Sequence, residues 1–359
     1  MARRLSSRSA RIAAALIGSI ALAGSVAGTA SAQEGSTGSL GSSELSDSVS
    51  GSLLSPPETD PDLPVGNDTP TKGPLPVPFN ISAGVSAMFA PQVAPPGAND
   101  WNCKPSPEHP RPVVLINPTV TTQALAFQAG APLLHNAGYC VFTFNYGNVT
   151  PFDGFPVQAI GDIPTGAQVL SDFVDKVLDA TDTDKVDLVG HSQGGGITPD
   201  YYLKVLGGNQ HVHTKVGISP STGTTLSTLA FLRSLVPVLG PLVYGSIDTF
   251  TPASTQQVFD SEVSEKVYPG GVVKGADGVE NYAIVTRHDE VVTPYSRQFY
   301  EGDNAHNIDL QKDCAEDKSE HVSTMYSERA WRHVLNALDP ENTKDVPCMP
   351  VAPFAPWVR

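Results

Sequence analysis

The chain is poor in positive charge. Of its 359 residues, 22 are Lys or Arg against 37 Asp or Glu, for a formal net charge of −15. Binding a phosphate backbone needs clustered cations, so this balance argues against a nucleic-acid partner. Cysteine is scarce too, with four residues. None forms a CxxC pair or joins a histidine cluster, so no zinc-type signature is present, and neither a metal nor another cofactor is expected. Beyond the N-terminal segment no apolar run is long enough to span a bilayer. Internal repeats are absent, which removes solenoids and propellers.

The N-terminal segment reads as an export signal. Arg3, Arg4, Arg8 and Arg11 precede the apolar, small-residue stretch 12–27, and Ala30-Ser31-Ala32 has the A-x-A form of a cleavage site. The mature chain is expected to begin near Gln33 and to be secreted, with no membrane span once the signal is removed. A membrane anchor is the alternative, disfavoured by the shortness of the run and its Ala, Gly and Ser content. Cys103, Cys140, Cys314 and Cys348 all follow the signal. An even number in an exported chain points to two disulfides, with three pairings open. Residues 33–75 are Ser, Gly, Pro, Thr and acid without lasting period, as in a flexible spacer. The folded domain is expected over 76–359, opening with a short docking segment near Phe79–Phe89.

Hydrophobic residues make up 40% of the chain, enough for a substantial core. Val113-Val114-Leu115-Ile116 is a continuous apolar run, as expected of a strand buried on both faces. Further strands are expected at 139–146, 186–190, 215–219 and 282–286. Helices are expected between them. One covers 123–135, and one carries an apolar face from Ile160 to Leu178 with Pro164 in its first turn. A third runs from Gln193 to Leu206, stopped by Gly207-Gly208, and a closing helix covers 329–338. Strands alternating with helices give an α/β fold class, a mostly parallel, doubly wound sheet whose site lies at the carboxyl ends of the strands. Between the fourth and fifth strands, residues 226–243 are densely apolar, and Pro237 and Pro241 should break any single long helix there. A lid or pocket wall is the expected use, a plain core helix pair the alternative.

Gly190-His191-Ser192-Gln193-Gly194 fits G-x-S-x-G. The string alone is only moderately specific. It gains weight from the strand before it and the Gly-rich helix start behind it, the setting of a nucleophile elbow. A serine hydroxyl needs a base to take its proton, and the chain order for this topology is Ser, acid, His. Asp289, just past the fifth strand, is the expected acid, with Glu290 and Asp303 as alternatives. Among the later histidines, His321 lies in a loop ahead of the closing helix, where the topology needs a base. His306, in a polar stretch, is the alternative, while His333 falls inside the helix and His288 precedes the acid. Two backbone N–H donors should form an oxyanion hole. One is Gln193, the residue after the nucleophile. The other is Thr119 in the loop after the first strand, where Pro118 has no N–H and the Thr119 hydroxyl would add a third bond.

With these residues in place, the sequence from about Phe79 to Pro350 resembles the α/β-hydrolase lipases, in particular the Candida antarctica lipase B type and its bacterial relatives. Ser192-Gln193-Gly194-Gly195 matches the nucleophile run, Asp289-Glu290-Val291-Val292-Thr293-Pro294 resembles the acid-bearing segment, and His321 corresponds to the catalytic histidine. Pro118-Thr119 with Thr121-Thr122 resembles the oxyanion loop. The resemblance implies the pairs Cys103–Cys140 and Cys314–Cys348. It also implies cofactor-free hydrolysis of carboxylic esters or triacylglycerols. The partner is expected to be an ester or lipid substrate, met at a lipid–water interface where it is a lipid, and the chain is expected to be a monomer. Three positions depart from the pattern. His191 replaces a tryptophan of the alcohol pocket, Ser221 replaces a pocket aspartate, and Pro199 falls within the helix after the nucleophile. Rival readings are a polyester depolymerase or cutinase, an acyltransferase of envelope lipids, and a non-catalytic hydrolase-fold binding protein. Ester cleavage is expected to survive EDTA. Loss on chelation, restored by calcium, would reveal a structural metal.

Overall fold

The structure is a computed structural model that describes residues 74–148, 157–226, 239–352 and 358, with backbone only for 239–244. The expected export signal, the spacer up to residue 73 and the apolar stretch 227–238 lie outside the described residues. No helix among the described residues is long and apolar enough to cross a membrane.

A six-stranded sheet forms the centre, in the order β2-β1-β3-β4-β5-β6, with every neighbouring pair parallel. Its strands are β1 (Val113–Ile116), β2 (Val141–Phe144), β3 (Val186–His191), β4 (Val212–Ile218), β5 (Glu280–Val285) and β6 (Ala305–Asp309). Alternate residues feed two cores. Val114, Ile116, Phe142, Phe144, Leu188, Ala283 and Val285 face one, where α4 (Ile163–Thr181) and α5 (Ile197–Val205) pack. Val113, Leu115, Val141, Val189, Val216 and Ile284 face the other, beneath α2 (Gln123–Ala126), α3 (Gly130–Asn136) and α9 (Glu328–Leu338). Burial of both faces is why β1 reads as an unbroken apolar run.

Helix ends follow local chemistry. The Asp162 carboxylate caps α4 by accepting the Thr165 N–H at 2.9 Å, with Pro164 in the first turn as expected. Segment 79–89 holds α1 (Ile81–Ala87), capped by Asn80. Disulfides join Cys103 to Cys140 and Cys314 to Cys348, the pairs that the resemblance implies.

Several expectations change. The helix expected over 123–135 is two, because the chain leaves helical geometry at Phe127, whose ring packs edge-on to Trp331. Close approach of the Trp331 ring then requires Gly130 at the start of α3: a Cβ there would lie 2.1 Å from it. Strand 139–146 is shorter, and strand 215–219 begins three residues earlier as Val212–Ile218. The polar stretch around His306 is not a loop but the edge strand β6. Beyond β4 the chain also forms α6 (Leu239–Phe250), α7 (Pro252–Gln256) and α8 (Glu262–Val267). Pro241 is the third residue of α6, and the stretch before it that the prolines were expected to interrupt lies outside the described residues.

A buried ionic cluster links these layers. Lys215 on β4 donates to Asp200 of α5 at 2.8 Å, and Tyr268 and Tyr300 each donate to the other Asp200 oxygen at 2.6 Å. Burial pulls the Lys215 ammonium down to about 8, against the pull of Asp200. Asp200→Leu would leave this cation buried without its counter-charge. We expect it to cost about 3–5 kcal/mol in urea unfolding; a change under about 1 kcal/mol would show that water reaches the cluster.

Candidate active site

β3 ends at His191 and the chain enters a 3-10 turn, Ser192–Gly195. Ser192 has φ of 54°, the left-handed region that side chains rarely adopt. The bend is tight. A Cβ on Gly190 would lie 1.8 Å from the Gly194 carbonyl oxygen, and one on Gly194 would lie 2.2 Å from that of Ile116. Only glycine fits at either place. Backbone bonds hold the strained turn from the side: Ser221 N–H donates to the Ser192 carbonyl at 2.9 Å, and Ile197 N–H to that of Ser221 at 2.8 Å. Gly196 therefore separates the turn from α5, and the helix expected from Gln193 starts later, at Ile197. Pro199 falls in the first turn of α5 and breaks nothing.

Above this bend lies the imidazole of His321. Its Nε2 is 2.9 Å from Ser192 Oγ, and its Nδ1 is 2.8 Å from Asp289 Oδ2. Asp289 follows β5, two positions away from β3 across the sheet. Its Oδ1 accepts the N–H groups of Val291 and Val292 at 3.0 and 2.7 Å. Its Oδ2 accepts Gln298 Nε2 at 3.0 Å as well as His321. Four donors thus satisfy a buried carboxylate. For His321, burial opposes the charged form, but Asp289 beside it, with Glu320 and Glu290, outweighs burial and raises the imidazole above its ordinary 6.5.

The loop carrying His321 is braced on every side. The Glu320 carboxylate accepts the N–H groups of Val322 and Ser323 at 2.8 and 2.9 Å, and Ser323 Oγ accepts the Glu320 N–H at 2.8 Å. Buried Arg329 of α9 reaches the Leu310 carbonyl at the loop's start. His191 supports it from below: its Nε2 lies 2.8 Å from the His321 carbonyl and 3.2 Å from Thr324 Oγ1. A carbonyl accepts only from a protonated nitrogen, so the hydrogen is on Nε2. Burial, then repulsion from His321, pushes His191 well below its ordinary pKa and keeps it neutral.

The loop after β1 lies across from Ser192. Asn117 pins it internally, donating from Nδ2 to the Thr121 carbonyl at 2.8 Å. The Thr119 N–H has no acceptor among the described residues. The Thr119 hydroxyl is engaged: it donates to Gln193 Oε1 at 2.7 Å. The expected third donor of an oxyanion hole is therefore turned to a side chain in this structure. Gln257 meets the same two groups, a contact with no signature in the sequence.

The alternative residues lie elsewhere. Glu290 is pushed up to about 7, chiefly by burial and then by Glu320, and makes no bond to His321. Asp303 is exposed. His306 Nε2 pairs with Glu280 at 2.7 Å on the far edge of the sheet. His333 lies on α9, and burial lowers it to about 4. His288 is exposed next to Asp289. Ser221 is fully buried, with its hydroxyl unpartnered.

Comparison with known proteins agrees with this architecture. A family model described as the alpha/beta hydrolase fold matches residues 112–271. The structure is similar to the crystal structure of Aspergillus fumigatus lipase B, with a TM-score of 0.54 and 20% identity. That match covers 80% of this chain and 66% of the other, just under two thirds of its length. A lipase of Bacillus licheniformis in its mature form is matched at TM-score 0.38 and 15% identity, over 65% of this chain and 94% of that one. A carboxylesterase of Bacillus subtilis is matched at TM-score 0.38 and 13% identity, over 66% and 86%. No curated protein matches the sequence. The fold is that of the α/β hydrolases.

His191→Phe keeps most of the ring volume and removes the donor to the His321 carbonyl. We expect a loss of about 1–2 kcal/mol in urea unfolding, because the Thr324 hydroxyl still serves that oxygen. Unchanged stability would mean that the ring only fills space.

Proposed function

We propose that this protein is a secreted serine hydrolase that cleaves carboxylic esters through an acyl-enzyme on Ser192, as a triacylglycerol lipase or carboxylesterase. One observation carries the reading: the His321 ring bonds Ser192 Oγ at 2.9 Å on one side and Asp289 at 2.8 Å on the other. A serine hydroxyl so placed can lose its proton to Nε2 as Oγ attacks an ester carbonyl. Asp289 holds Nδ1–H and offsets the imidazolium charge. The N–H groups of Thr119 and Gln193 receive the oxyanion. His321 returns the proton to the departing alkoxide. It then takes one from water, whose oxygen attacks the acyl carbonyl, and gives it to Ser192 Oγ as the acid leaves.

Export is supported by the N-terminal signal pattern and by two disulfides, a usage typical of oxidising compartments. Aspergillus fumigatus lipase B, a lipase by name, shares the fold. We take the protein to act as a monomer on ester or lipid substrates.

Ser192→Ala is expected to cut turnover by roughly 10⁴- to 10⁶-fold while leaving the thermal unfolding transition in place. Undiminished cleavage by that variant would move the nucleophile elsewhere. Only neutral His321 can accept a proton, and its pKa is raised, so kcat/KM should fall as pH drops through a value above 6.5. An acid limb well below 6.5 would remove His321 as the base. Emulsified triolein, soluble p-nitrophenyl esters and a polyester film, compared side by side, rank the lipase, esterase and polyester-depolymerase readings.

A further inference from the structure

The engaged Thr119 hydroxyl belongs to a hydrogen-bonded set that the mechanism above does not use. Gln257 directly follows α7 and is buried. Its Nε2 lies 3.1 Å from Thr119 Oγ1, 3.1 Å from Gln193 Oε1 and 3.0 Å from the Ala253 carbonyl oxygen. An amide NH₂ has two hydrogens for these three acceptors. One serves Ala253. The other is shared between Thr119 Oγ1 and Gln193 Oε1, themselves 2.7 Å apart. Gln193 Oε1 is thus supplied twice, by the Thr119 hydroxyl and by Gln257. If the hydroxyl turns away, the Gln257 hydrogen still satisfies that buried oxygen. Without Gln257, the same turn would leave Gln193 Oε1 unpaired, which a buried acceptor resists.

We propose that Gln257 is a positioning residue for the oxyanion loop: its amide donor frees the Thr119 hydroxyl to swing from Gln193 to the developing oxyanion. The inference rests on the serine-hydrolase reading and names a part of that site's machinery. One bond, Thr119 O–H to Gln193, exchanges for Thr119 O–H to the oxyanion, while the shared Gln257 hydrogen settles on Gln193; no proton changes owner. Two further observations fit. Val120, beside Thr119, is β-branched yet has φ of 60°, so external contacts hold this loop where it is. Gln256 is itself clamped. Its Oε1 accepts the Ile163 N–H at 2.7 Å, and its Nε2 donates to Asp162 at 2.7 Å. Gln257 therefore stands on a post fixed to α4 and does not follow the loop as it moves.

The test compares wild type, Gln257→Glu, Thr119→Val and the double variant. Each is assayed for kcat and KM on a p-nitrophenyl ester and for its rate of inactivation by a p-nitrophenyl alkylphosphonate. The glutamate keeps the size but loses the hydrogen. We expect kcat and the inactivation rate to fall about 10- to 100-fold with KM within about twofold, since an oxyanion donor is lost only in the transition state. In the double variant the loss should match that of Thr119→Val alone, because both changes remove the same hydroxyl bond. Wild-type kcat in Gln257→Glu, or losses that multiply in the double variant, would overturn the proposal. Should Gln257→Glu fail to fold, Gln257→Leu removes the donor without adding charge and must show the same split between kcat and KM. Failure of the phosphonate to modify Ser192 in wild type would instead overturn the hydrolase reading itself.

Discussion

One imidazole must touch groups that belong to different parts of the chain, and the rest of the structure answers to that demand. Ser192 leaves β3 and Asp289 follows β5, with β4 lying between them in the sheet. Only a side chain arriving from above the strand ends can bridge the gap, and the loop ahead of α9 delivers His321 there. A ring held by two hydrogen bonds of 2.8 and 2.9 Å has little freedom left. Its backbone has little more. The Glu320–Ser323 reciprocal bonds, Arg329 and His191 fix the loop from three directions. Under the proposed function, pre-positioning of this kind lets a weak nucleophile meet its base without rearrangement.

The parts of the fold that show in the sequence are those whose burial is complete. β1, the middle of β3 and the last three residues of β5 are apolar because both faces of the sheet are covered there, so their runs are plain. β6 is hidden in Ala305-His306-Asn307-Ile308-Asp309 because its side chains are half-exposed, so its pattern is polar; β2, at the other edge, is covered and reads as apolar. Its pairing to β5 is made by backbone groups, which every sequence possesses. The single helix expected over 123–135 fails for a related reason. Its apolar spacing continues through Phe127, but the helix breaks there, where the Phe127 ring packs against Trp331, some two hundred residues away in the chain.

The candidate site divides along the same line. Ser192 is legible because its neighbours must be small for local reasons, and Gly190 and Gly194 state that requirement in the sequence. Asp289 and His321 are legible through chain order and their position after a strand and before a helix. Gln257, Gln298 and Thr324 leave no trace. Each acts through polar contacts whose partners are set by tertiary packing, and a lone Gln or Thr is ordinarily just solvated. The Thr119 hydroxyl marks the limit of motif reasoning. Its residue type shows that it can donate, but its actual acceptor depends on the Gln193 side chain and on a residue 138 positions further on.

Charge buried beneath the site follows the same logic. Lys215 of β4 meets Asp200 of α5 just beyond the Ser192 turn, where an apolar pair of similar size would serve stability as well or better. Apolar packing, however, tolerates sliding, since neighbouring contacts cost nearly the same. A carboxylate meeting an ammonium and two phenols has one low-energy arrangement, and displacement strands charged groups without partners. This fixes α5 against β4, and α5 begins where Gly196 presses on the Ser221 backbone: a Cβ there would lie 2.1 Å from the Ser221 carbonyl oxygen. The same Ser221 holds the Ser192 carbonyl through its N–H. The strained φ of Ser192 is thus over-determined from both sides of the turn, which is the condition under which such strain persists.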